Sequence, residues 1–238
     1  MARVARIVIA DSPHHLTQRG NNRHDVFFVD DDRRAYLRFL ATQSRRYGVE
    51  ILGYCLMTNH VHLIAVPRKE DALAKAIGRT HWLYSQYVNR LHGRSGHLWQ
   101  NRFYSNPMDE EHCLLAMRYI ERNPIRAGLC RIARNYAWSS AAAHCGGKDA
   151  SGLLDAKGWK RLADGLDWEA KLAVDLPTEE RERLKRYVQT GRPLAEDGWL
   201  SKFELALARR LRPLAVGRPK KAVKAARKRK GNGLLSLV

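Results

Sequence analysis

Two histidines separated by one residue are the clearest candidates for chemistry in this chain. His60 and His62 lie in the apolar run from Val49 to Pro67, which is the most strand-like stretch of the sequence. Side chains two apart on a strand project from the same face, so both imidazoles can bind one divalent metal ion while Val61 points into the core. With 10 histidines in 238 residues, about 0.4 such pairs are expected by chance, so the motif needs support from elsewhere.

A tyrosine and an asparagine further along the chain supply that support. Tyr119 and Asn123 are spaced i, i+4 on a predicted helix, so their side chains share one face. If that face lies over the sheet, the amide oxygen of Asn123 completes a His, His, Asn site. Imidazole and amide ligands with open positions suit Mg²⁺ or Mn²⁺, which would polarise a scissile phosphate.

The tyrosine phenol is the predicted nucleophile of this site. Its pKa is about 10 when unperturbed, so it needs a neighbouring positive charge or base before it can attack. Attack on DNA gives a covalent phosphotyrosine and a free hydroxyl, a transesterification that needs no nucleotide cofactor. The metal ion and the flanking arginines could supply the field, the candidates being Arg118, Arg122 and Arg126.

The charge balance points to a polyanionic partner. Lys and Arg total 43 against 24 Asp and Glu, which gives a net charge of +19. Neutralising phosphates releases condensed counterions, so nucleic acid is the leading partner and an anionic membrane surface the second. A ribosomal-type or generally basic soluble protein is the plain alternative on charge alone.

The sequence also favours a cytoplasmic protein, associated with the nucleoid when bound to DNA. It contains no run of about 18 apolar residues, and its first ten residues are interrupted by charge, so neither a membrane span nor a signal peptide is expected. Its four cysteines form no Cys-x-x-Cys pair, which is typical of reduced thiols.

The order of predicted elements defines an α+β fold. It reads strand, helix, strand, strand, helix, strand, helix, which is the βαββαβ order of a ferredoxin-like (RRM-like) core. An antiparallel sheet would carry helices on one face, leave the other available, and hold the histidine pair on a central strand. The expected ranges are a β-branched run at 4–9 continuing as a polar strand or loop to Arg23, a helix from Asp30 to Gly48, strands 49–56 and 60–67, a helix at about 70–92, a strand 96–105, and a helix from about Asp109 to Asn123.

Three regions follow from composition. Residues 1–145 form the predicted nuclease domain. Residues 146–212 are expected to be a helical C-terminal extension, including a strongly charged helix at Thr178–Tyr187. Residues 213–238 form a basic tail, rich in Lys and Arg with little apolar content, that is predicted to be disordered and to contact phosphates without reading bases.

Several motifs together resemble a known family, the single-tyrosine HUH transposases of the IS200-like superfamily. The closer likeness is to the transposases associated with repetitive extragenic palindromes (REPs), and it covers roughly residues 3–140. The motifs are His60-Val-His62 after Tyr54–Asn59, TQRGNNR at Thr17–Arg23, LWQNRFY at Leu98–Tyr104 and MRYIERNPIRAG at Met117–Gly128; the tail segments Thr190–Leu194 and Gly217–Lys220 also resemble that group.

The resemblance implies a site and a substrate. His60 and His62 would bind the divalent ion, Tyr119 would be the nucleophile, and Asn123 occupies the position of the third ligand. Members of the family cleave and rejoin single-stranded DNA beside imperfect hairpins, here expected to be REP-like. The REP-associated group is expected to act as monomers, whereas related insertion-sequence enzymes form dimers that exchange the tyrosine helix. Candidate DNA contacts are Arg19, Asn21, Asn22, Arg23, Arg102, Arg118, Arg122 and Arg126.

Other interpretations remain open for individual residues. Asn123 could simply end its helix before Pro124, and Cys55 could in principle join the histidines in a zinc site, although we expect it to face away from them. The run Asp30–Asp32 is interpreted as a helix start rather than as metal ligands. Competing nucleophiles are Tyr84, Tyr87 and Tyr104, and the tryptophans expected to pack rather than stack on bases are Trp82, Trp99 and Trp138.

A different class of function also fits the scaffold. A hairpin DNA- or RNA-binding regulator could use the same fold and charge with the cleavage site unused. Such a protein would not need a tyrosine beside two histidines, so the intact trio His60, His62 and Tyr119 favours the enzyme.

Overall fold

One antiparallel sheet organises the computed structural model, which describes residues 6–188 and 190–212 of the chain. Its strand order is β2-β3-β1-β4. The strands are β1 (His14–Arg19), β2 (Val49–Met57), β3 (His60–Pro67) and β4 (Tyr104–Pro107). With one helix between β1 and β2 and another between β3 and β4, this is the predicted ferredoxin-like order, and β3 is a central strand.

Nine α-helices are assigned in the described ranges. They are α1 (Asp30–Tyr47), α2 (Ala72–Leu91), α3 (Glu110–Glu121), α4 (Asn123–Arg126), α5 (Ala141–His144), α6 (Ala156–Leu162), α7 (Trp168–Ala173), α8 (Thr178–Val188) and α9 (Asp197–Ala206). The charged segment of the extension is helical as predicted, in α8. The helix from Asp30 ends at Gly48, whose φ of 65° is the left-handed conformation that glycine adopts without strain.

The aspartate run starts α1, as predicted. A carboxylate oxygen of Asp32 accepts hydrogen bonds from the backbone amides of Phe28 and Val29, at 2.8 and 3.1 Å. These amides belong to the orphan donors of a helix start, so the carboxylate is used in capping. Asp109 plays the same part for α3 by accepting from the amide of His112 at 2.9 Å.

Helices cover both faces of the sheet, which differs from the prediction of one available face. On the face covered by α1 and α2, the α1–α2 face, Leu16, Val61 and Leu63 pack against apolar side chains of those helices. On the opposite face, the α3 face, Ile64 and Cys55 pack against α3 and against parts of the C-terminal extension. The second layer was not predictable from βαββαβ order because it is built by elements that follow β4.

The N-terminal β-branched run is not a strand in its described part, residues 6–9. Ile7 and Ile9 instead pack in a separate cluster with Leu200 and Leu211 of the C-terminal extension. The polar segment after it forms β1, since its pairing positions between β3 and β4 satisfy the backbone on both sides.

The predicted strand at 96–105 is much shorter than expected. Only Tyr104–Pro107 pairs as β4. The preceding loop nevertheless runs beside the end of β1, where Gly20 bridges Trp99 and the amide of Asn21 donates to the carbonyl of Leu98 at 2.8 Å.

Two composition-based predictions have different outcomes. All four cysteines are free thiols, as expected. Trp82 does not pack: it is 49% exposed, with the guanidinium carbon of Arg79 4.1 Å from its ring centroid, whereas Trp99 and Trp138 contact the core on the α1–α2 face.

Some predictions fall outside the described residues. The basic tail, 213–238, and its Gly217–Lys220 signature lie there, as do residues 1–5. Among the helices of the described residues, none is long and apolar enough to cross a membrane.

Candidate active-site cleft

The α3 face of the sheet opens into a polar cleft at one end of β1 and β3. Directly paired residues of an antiparallel sheet share a face, and His62 pairs with Thr17 while His60 pairs with Arg19. The cleft has a volume of about 660 Å³. Its lining comprises Thr17, Gln18, Arg19, Arg23, His60, His62, Gln100, Asn101, Tyr104, Tyr119, Asn123, Lys185, Arg186 and Val188. The structure thus brings the histidine pair, Tyr119 and Asn123 into one cavity.

The two cleft histidines each have one ring nitrogen engaged. The Nδ1 of His60 lies 2.6 Å from Oδ1 of Asn59, whose amide group is oriented by a bond from its Nδ2 to the carbonyl of Arg23. An amide oxygen only accepts, so Nδ1 of His60 carries the proton and Nε2 keeps its lone pair. The Nδ1 of His62 lies 2.9 Å from Nε2 of the buried His15. When His62 donates in that bond, its Nε2 is also left as a lone pair.

The environment keeps these imidazoles neutral. Burial lowers the pKa of His60 to about 4, with the charge of Arg19 adding to the effect. Burial also holds the pKa of His62 well below its ordinary value, and burial lowers the pKa of His15 to about 4. A neutral imidazole with an open Nε2 is the form that binds a metal ion.

Tyr119 lies against His62 and His15. Its ring centroid is 6.1 Å from that of His62 and 6.5 Å from that of His15. The guanidinium carbon of Arg126 lies 4.5 Å from the Tyr119 ring centroid, and Nη2 of Arg126 donates to the carbonyl of Tyr119 at 2.7 Å. Of the three arginines proposed to supply a field for this phenol, Arg126 is the one that contacts it.

The other two arginines hold the C-terminal extension. Arg118 donates to the carbonyls of Val174 and Asp175, at 2.6 and 3.1 Å. Arg122 donates to the carbonyl of Leu172 and, at 3.1 Å, to the Asp175 carboxylate. Neither lines the cleft, and their donors are used in docking the segment before α8. Their contact with DNA stays a prediction.

Asn123 does not share a helix with Tyr119, in contrast to the prediction. α3 ends at Glu121, and Asn123 begins the one-turn helix α4, whose second residue, Pro124, lacks the amide proton that would continue the hydrogen-bond ladder. Asn123 still lines the cleft, but its Oδ1 accepts a hydrogen bond from Nη2 of Arg126, and its buried Nδ2 has no hydrogen-bond partner.

A buried carboxylate fixes the end of the tyrosine helix. Glu121 is fully buried and accepts a hydrogen bond from Nε1 of Trp168 at 2.8 Å, while Nδ1 of His144 lies 2.7 Å from its other oxygen. Because Glu121 is two residues from Tyr119, this network ties the position of Tyr119 to α5 and α7.

Of the three other candidate nucleophiles, two lie far from the cleft. Tyr84 and Tyr87 lie on α2, across the sheet from the cleft, and the Tyr84 hydroxyl donates a hydrogen bond to the carbonyl of Val26 at 2.6 Å. Tyr104 lines the same cleft as Tyr119 and is 43% exposed, so it is a genuine second candidate.

The remaining DNA-contact candidates divide in the same way. Arg19 and Arg23 line the cleft beside His60. The cleft lining does not include Asn21, Asn22 or Arg102, which lie exposed nearby.

We expected Cys55 to face away from the histidines, but it lies on the same face of the sheet as they do. It pairs directly with His62 across β2 and β3 and is fully buried. Burial raises the pKa of its thiol well above the ordinary value, which disfavours the thiolate that zinc requires. In the described part of the chain, no three His, Cys, Asp or Glu side chains are grouped to hold a metal ion.

Three residues of the site, His15, Lys185 and Arg186, were not predicted from the sequence. The position of His15 depends on the register of β1 on β3, which cannot be read from the sequence. Lys185 and Arg186 lie more than 60 positions after Tyr119, and nothing in their own segment distinguishes them from a solvated charged helix.

Comparison with known proteins gives the class. The family model described as "Transposase IS200 like" matches residues 9–123, just under half of the chain. Through this region the chain is similar to the IS200-like transposases, and DNA transposition is the activity that the match supports. No curated protein matches the chain.

Two solved structures are similar. A REP-associated tyrosine transposase bound to a REP hairpin has 17% identity and a TM-score of 0.50, covering 65% of this chain and 88% of its own. A protein of Deinococcus radiodurans R1 assigned as a transposase has 20% identity and a TM-score of 0.36, covering 51% of this chain and 97% of its own. The likeness to the REP-associated transposase structure confirms the fold.

Proposed function

We propose that this transposase cleaves and rejoins single-stranded DNA through a covalent bond to Tyr119. The observation that carries the proposal is the placement of the Tyr119 ring 6.1 Å from that of His62, in a cleft where both histidines make their hydrogen bonds through Nδ1. A binding protein would not need a phenol beside two neutral imidazoles.

The chemistry follows from this arrangement. The Tyr119 oxygen forms a bond to phosphorus while the bond from phosphorus to one sugar oxygen breaks, and the phenolic proton is released as that sugar oxygen becomes a hydroxyl. Attack by the freed hydroxyl, or by another, on the phosphotyrosine reverses the step and rejoins a strand. Arg126 places a positive charge over the ring of Tyr119, where it would stabilise the negative charge of the transition state.

A divalent metal ion fits the donor set. His60 and His62 would hold it through Nε2, and Mg²⁺ or Mn²⁺ is the ion we propose, polarising the scissile phosphate. Asn123 would complete the set through Oδ1, which must then share its lone pairs with Arg126. The unpartnered Nδ2 of Asn123 leaves this side chain with unused hydrogen-bonding capacity.

One chain can supply the whole site. α3 packs on β2 and β3 of its own sheet, and Tyr119 reaches the histidines without a second copy. This supports a monomer as the working form, in place of a dimer that exchanges the tyrosine helix.

The proposed substrate is a single-stranded DNA hairpin of the REP type. The structurally similar transposase is bound to a REP hairpin. In this chain, the net charge of +19 and the cleft arginines Arg19 and Arg23 supply phosphate attraction beside the site.

The decisive experiment compares two tyrosines in one cleft. Purified wild type, Tyr119→Phe and the matched control Tyr104→Phe are incubated with end-labelled REP-like hairpin DNA and Mg²⁺ or Mn²⁺. We expect a denaturant-resistant protein–DNA adduct in wild type and Tyr104→Phe and none in Tyr119→Phe. An adduct lost only in Tyr104→Phe would move the nucleophile, and tight hairpin binding with no adduct in any protein would favour the binding regulator.

A further inference from the structure

The cleft has two walls, and one comes from the C-terminal extension. α3 and α4 supply Tyr119 and Asn123 on one side, whereas α8 supplies Lys185, Arg186 and Val188 on the other. The family model ends at residue 123, so α8 lies outside the part of the chain that the family defines.

The α8 wall is built into the fold. Leu184 is 1% exposed and belongs to the same core cluster as residues of α3, which fixes the rotation of the helix. At the end of α8, the Nδ2 group of Asn106 on β4 donates to the carbonyl of Tyr187 at 2.7 Å and to that of Arg192 at 2.8 Å. Asn106 is itself only 2% exposed.

The other end of α8 is also tied to the tyrosine helix. Arg181 lies 3.2 Å from the carboxylate of Asp175, and the same carboxylate accepts from Arg122, directly after α3. Leu194 beyond α8 donates its amide to the carbonyl of Pro107 at 2.9 Å, which joins the chain to the end of β4. The wall is therefore anchored to the sheet edge and to α3.

The charges of the cleft are uniform. Arg19 and Arg23 stand at the end of β1, and Lys185 and Arg186 stand on α8, with no Asp or Glu among the described lining residues. Lys185 shares its charge with Glu182, whose carboxylate is 3.2 Å away, but this exposed pair is weak and easily exchanged for a phosphate. A chain of phosphates lying on the floor between the two walls would meet cations on both sides.

We propose that α8 is a DNA-binding wall of the active site, in which Lys185 and Arg186 bind backbone phosphates of the single strand across the cleft from Tyr119. The proposal rests on the proposed function for its ligand, single-stranded DNA. It makes the extension part of the cleavage site, with the task of holding the strand whose phosphate Tyr119 attacks. These contacts are to the backbone, so they position the strand and do not select its sequence.

The test measures binding without cleavage. The full chain carrying Tyr119→Phe, in metal-free buffer, is titrated against a fluorescent single-stranded 12-mer of thymidine at several salt concentrations. In this background, Arg186→Gln is compared with Arg183→Gln, which removes the same charge from the same helix at an exposed position outside the cleft lining. Thermal unfolding of each variant checks that the fold is intact.

We expect Arg186→Gln to weaken binding about fivefold and to reduce the slope of log K against log salt by about 0.7, the value for one lost contact to a single strand. Lys185→Gln should add a similar loss, while Arg183→Gln should change affinity less than twofold. Equal losses for Arg183→Gln and Arg186→Gln would reduce the effect to overall charge and overturn the proposal. Tighter binding by Arg186→Gln would show that α8 obstructs the cleft, which also overturns it.

The result is separable from that of the adduct experiment. Weaker binding by Arg186→Gln without any adduct would support the DNA-binding wall and contradict the proposed enzyme. A Tyr119 adduct without any effect of the α8 substitutions would support the enzyme and overturn the DNA-binding wall.

Discussion

The two faces of the sheet are made by alternate residues of the same strands, yet they do different work. On the α1–α2 face, Val61 and Leu16 are about 1% exposed in a dry core. One position along, His62 and His15 form a buried hydrogen-bonded pair at the edge of a polar cleft. The difference shows how a sheet separates stability from chemistry. Substitutions on one face should change the free energy of unfolding, and substitutions on the other should change the activity of the cleft.

The largest contrast is expected between His62→Ala and Val61→Ala. Loss of His62 removes a proposed metal-binding nitrogen beside Tyr119, so adduct formation should fall by more than about 100-fold. Val61→Ala leaves the cleft untouched but opens a cavity in the core, at a cost of about 2 kcal/mol in the free energy of unfolding. Adduct yield at low temperature and urea unfolding measure the two effects. Similar loss of activity in both variants would show that the faces are not separable.

The adjacent histidines of β1 sharpen the same comparison. His15 bonds to His62, whereas His14 points to the other face and is held between the carbonyl of Ser12, at 2.8 Å, and the amide of Ile9, at 3.2 Å. His15→Phe keeps an aromatic ring but cannot fix the His62 tautomer. We therefore expect Mn²⁺ to bind about 10–100-fold more weakly, which is the usual effect of removing the hydrogen-bond partner of a metal ligand.

His14→Phe is the matched control for that prediction. It leaves two buried backbone groups unpaired and should cost about 1–3 kcal/mol of stability without changing Mn²⁺ affinity. Electron paramagnetic resonance of free Mn²⁺ gives the affinities, and His15→Gln, which retains a hydrogen-bonding group, should recover part of the loss. Unchanged Mn²⁺ affinity in His15→Phe would remove His15 from the site.

The smallest effect concerns the acid sensitivity of the α1–α2 face. Burial lowers the pKa of His81 to about 3, and its Nε2 lies 3.1 Å from the hydroxyl of Tyr36. The unfolded chain takes up this proton at about pH 6.5, so the stability contribution is complete above 6.5 and falls as the pH drops towards 3. Per histidine, the loss is up to about 1.4 kcal/mol per pH unit.

Urea unfolding of the metal-free protein at pH 7.5, 6.0 and 5.0 checks this prediction. His81→Gln should make the decline with falling pH shallower by about one proton, because its amide does not titrate. The decline that remains belongs to the other buried histidines, His14 among them, whose pKa burial lowers to about 4. An unaltered slope would show that His81 is not the group responsible.

Local sequence patterns were sufficient to predict most of the fold. The apolar run with its tight turn predicted β2 and β3, the aspartate run and Gly48 marked both ends of α1, and motif order gave the ferredoxin-like core. These signals work because each depends on residues close together in sequence. The domain division at 145 and 212 stays a prediction.

Most differences between the predictions and the structure share a physical cause, because the deciding partner lies far along the chain. Ile7 and Ile9 pack on the extension instead of forming a strand, and Arg122 binds a carbonyl 50 positions away. His15 became part of the site only through the register of β1 on β3. Asn123 is the local exception, because Pro124 could have indicated the break after α3.

Because the tyrosine and the histidines lie in one chain, the proposed mechanism gives encounters between copies no part in the rate of strand cleavage. The yield per molecule should then be unaffected by dilution, and a mixture of active and Tyr119→Phe protein should retain the activity of its active fraction, with no poisoning by the inactive copies. In genetic terms, an inactive allele of such an enzyme would be recessive, because each active copy cleaves with its own tyrosine and histidines.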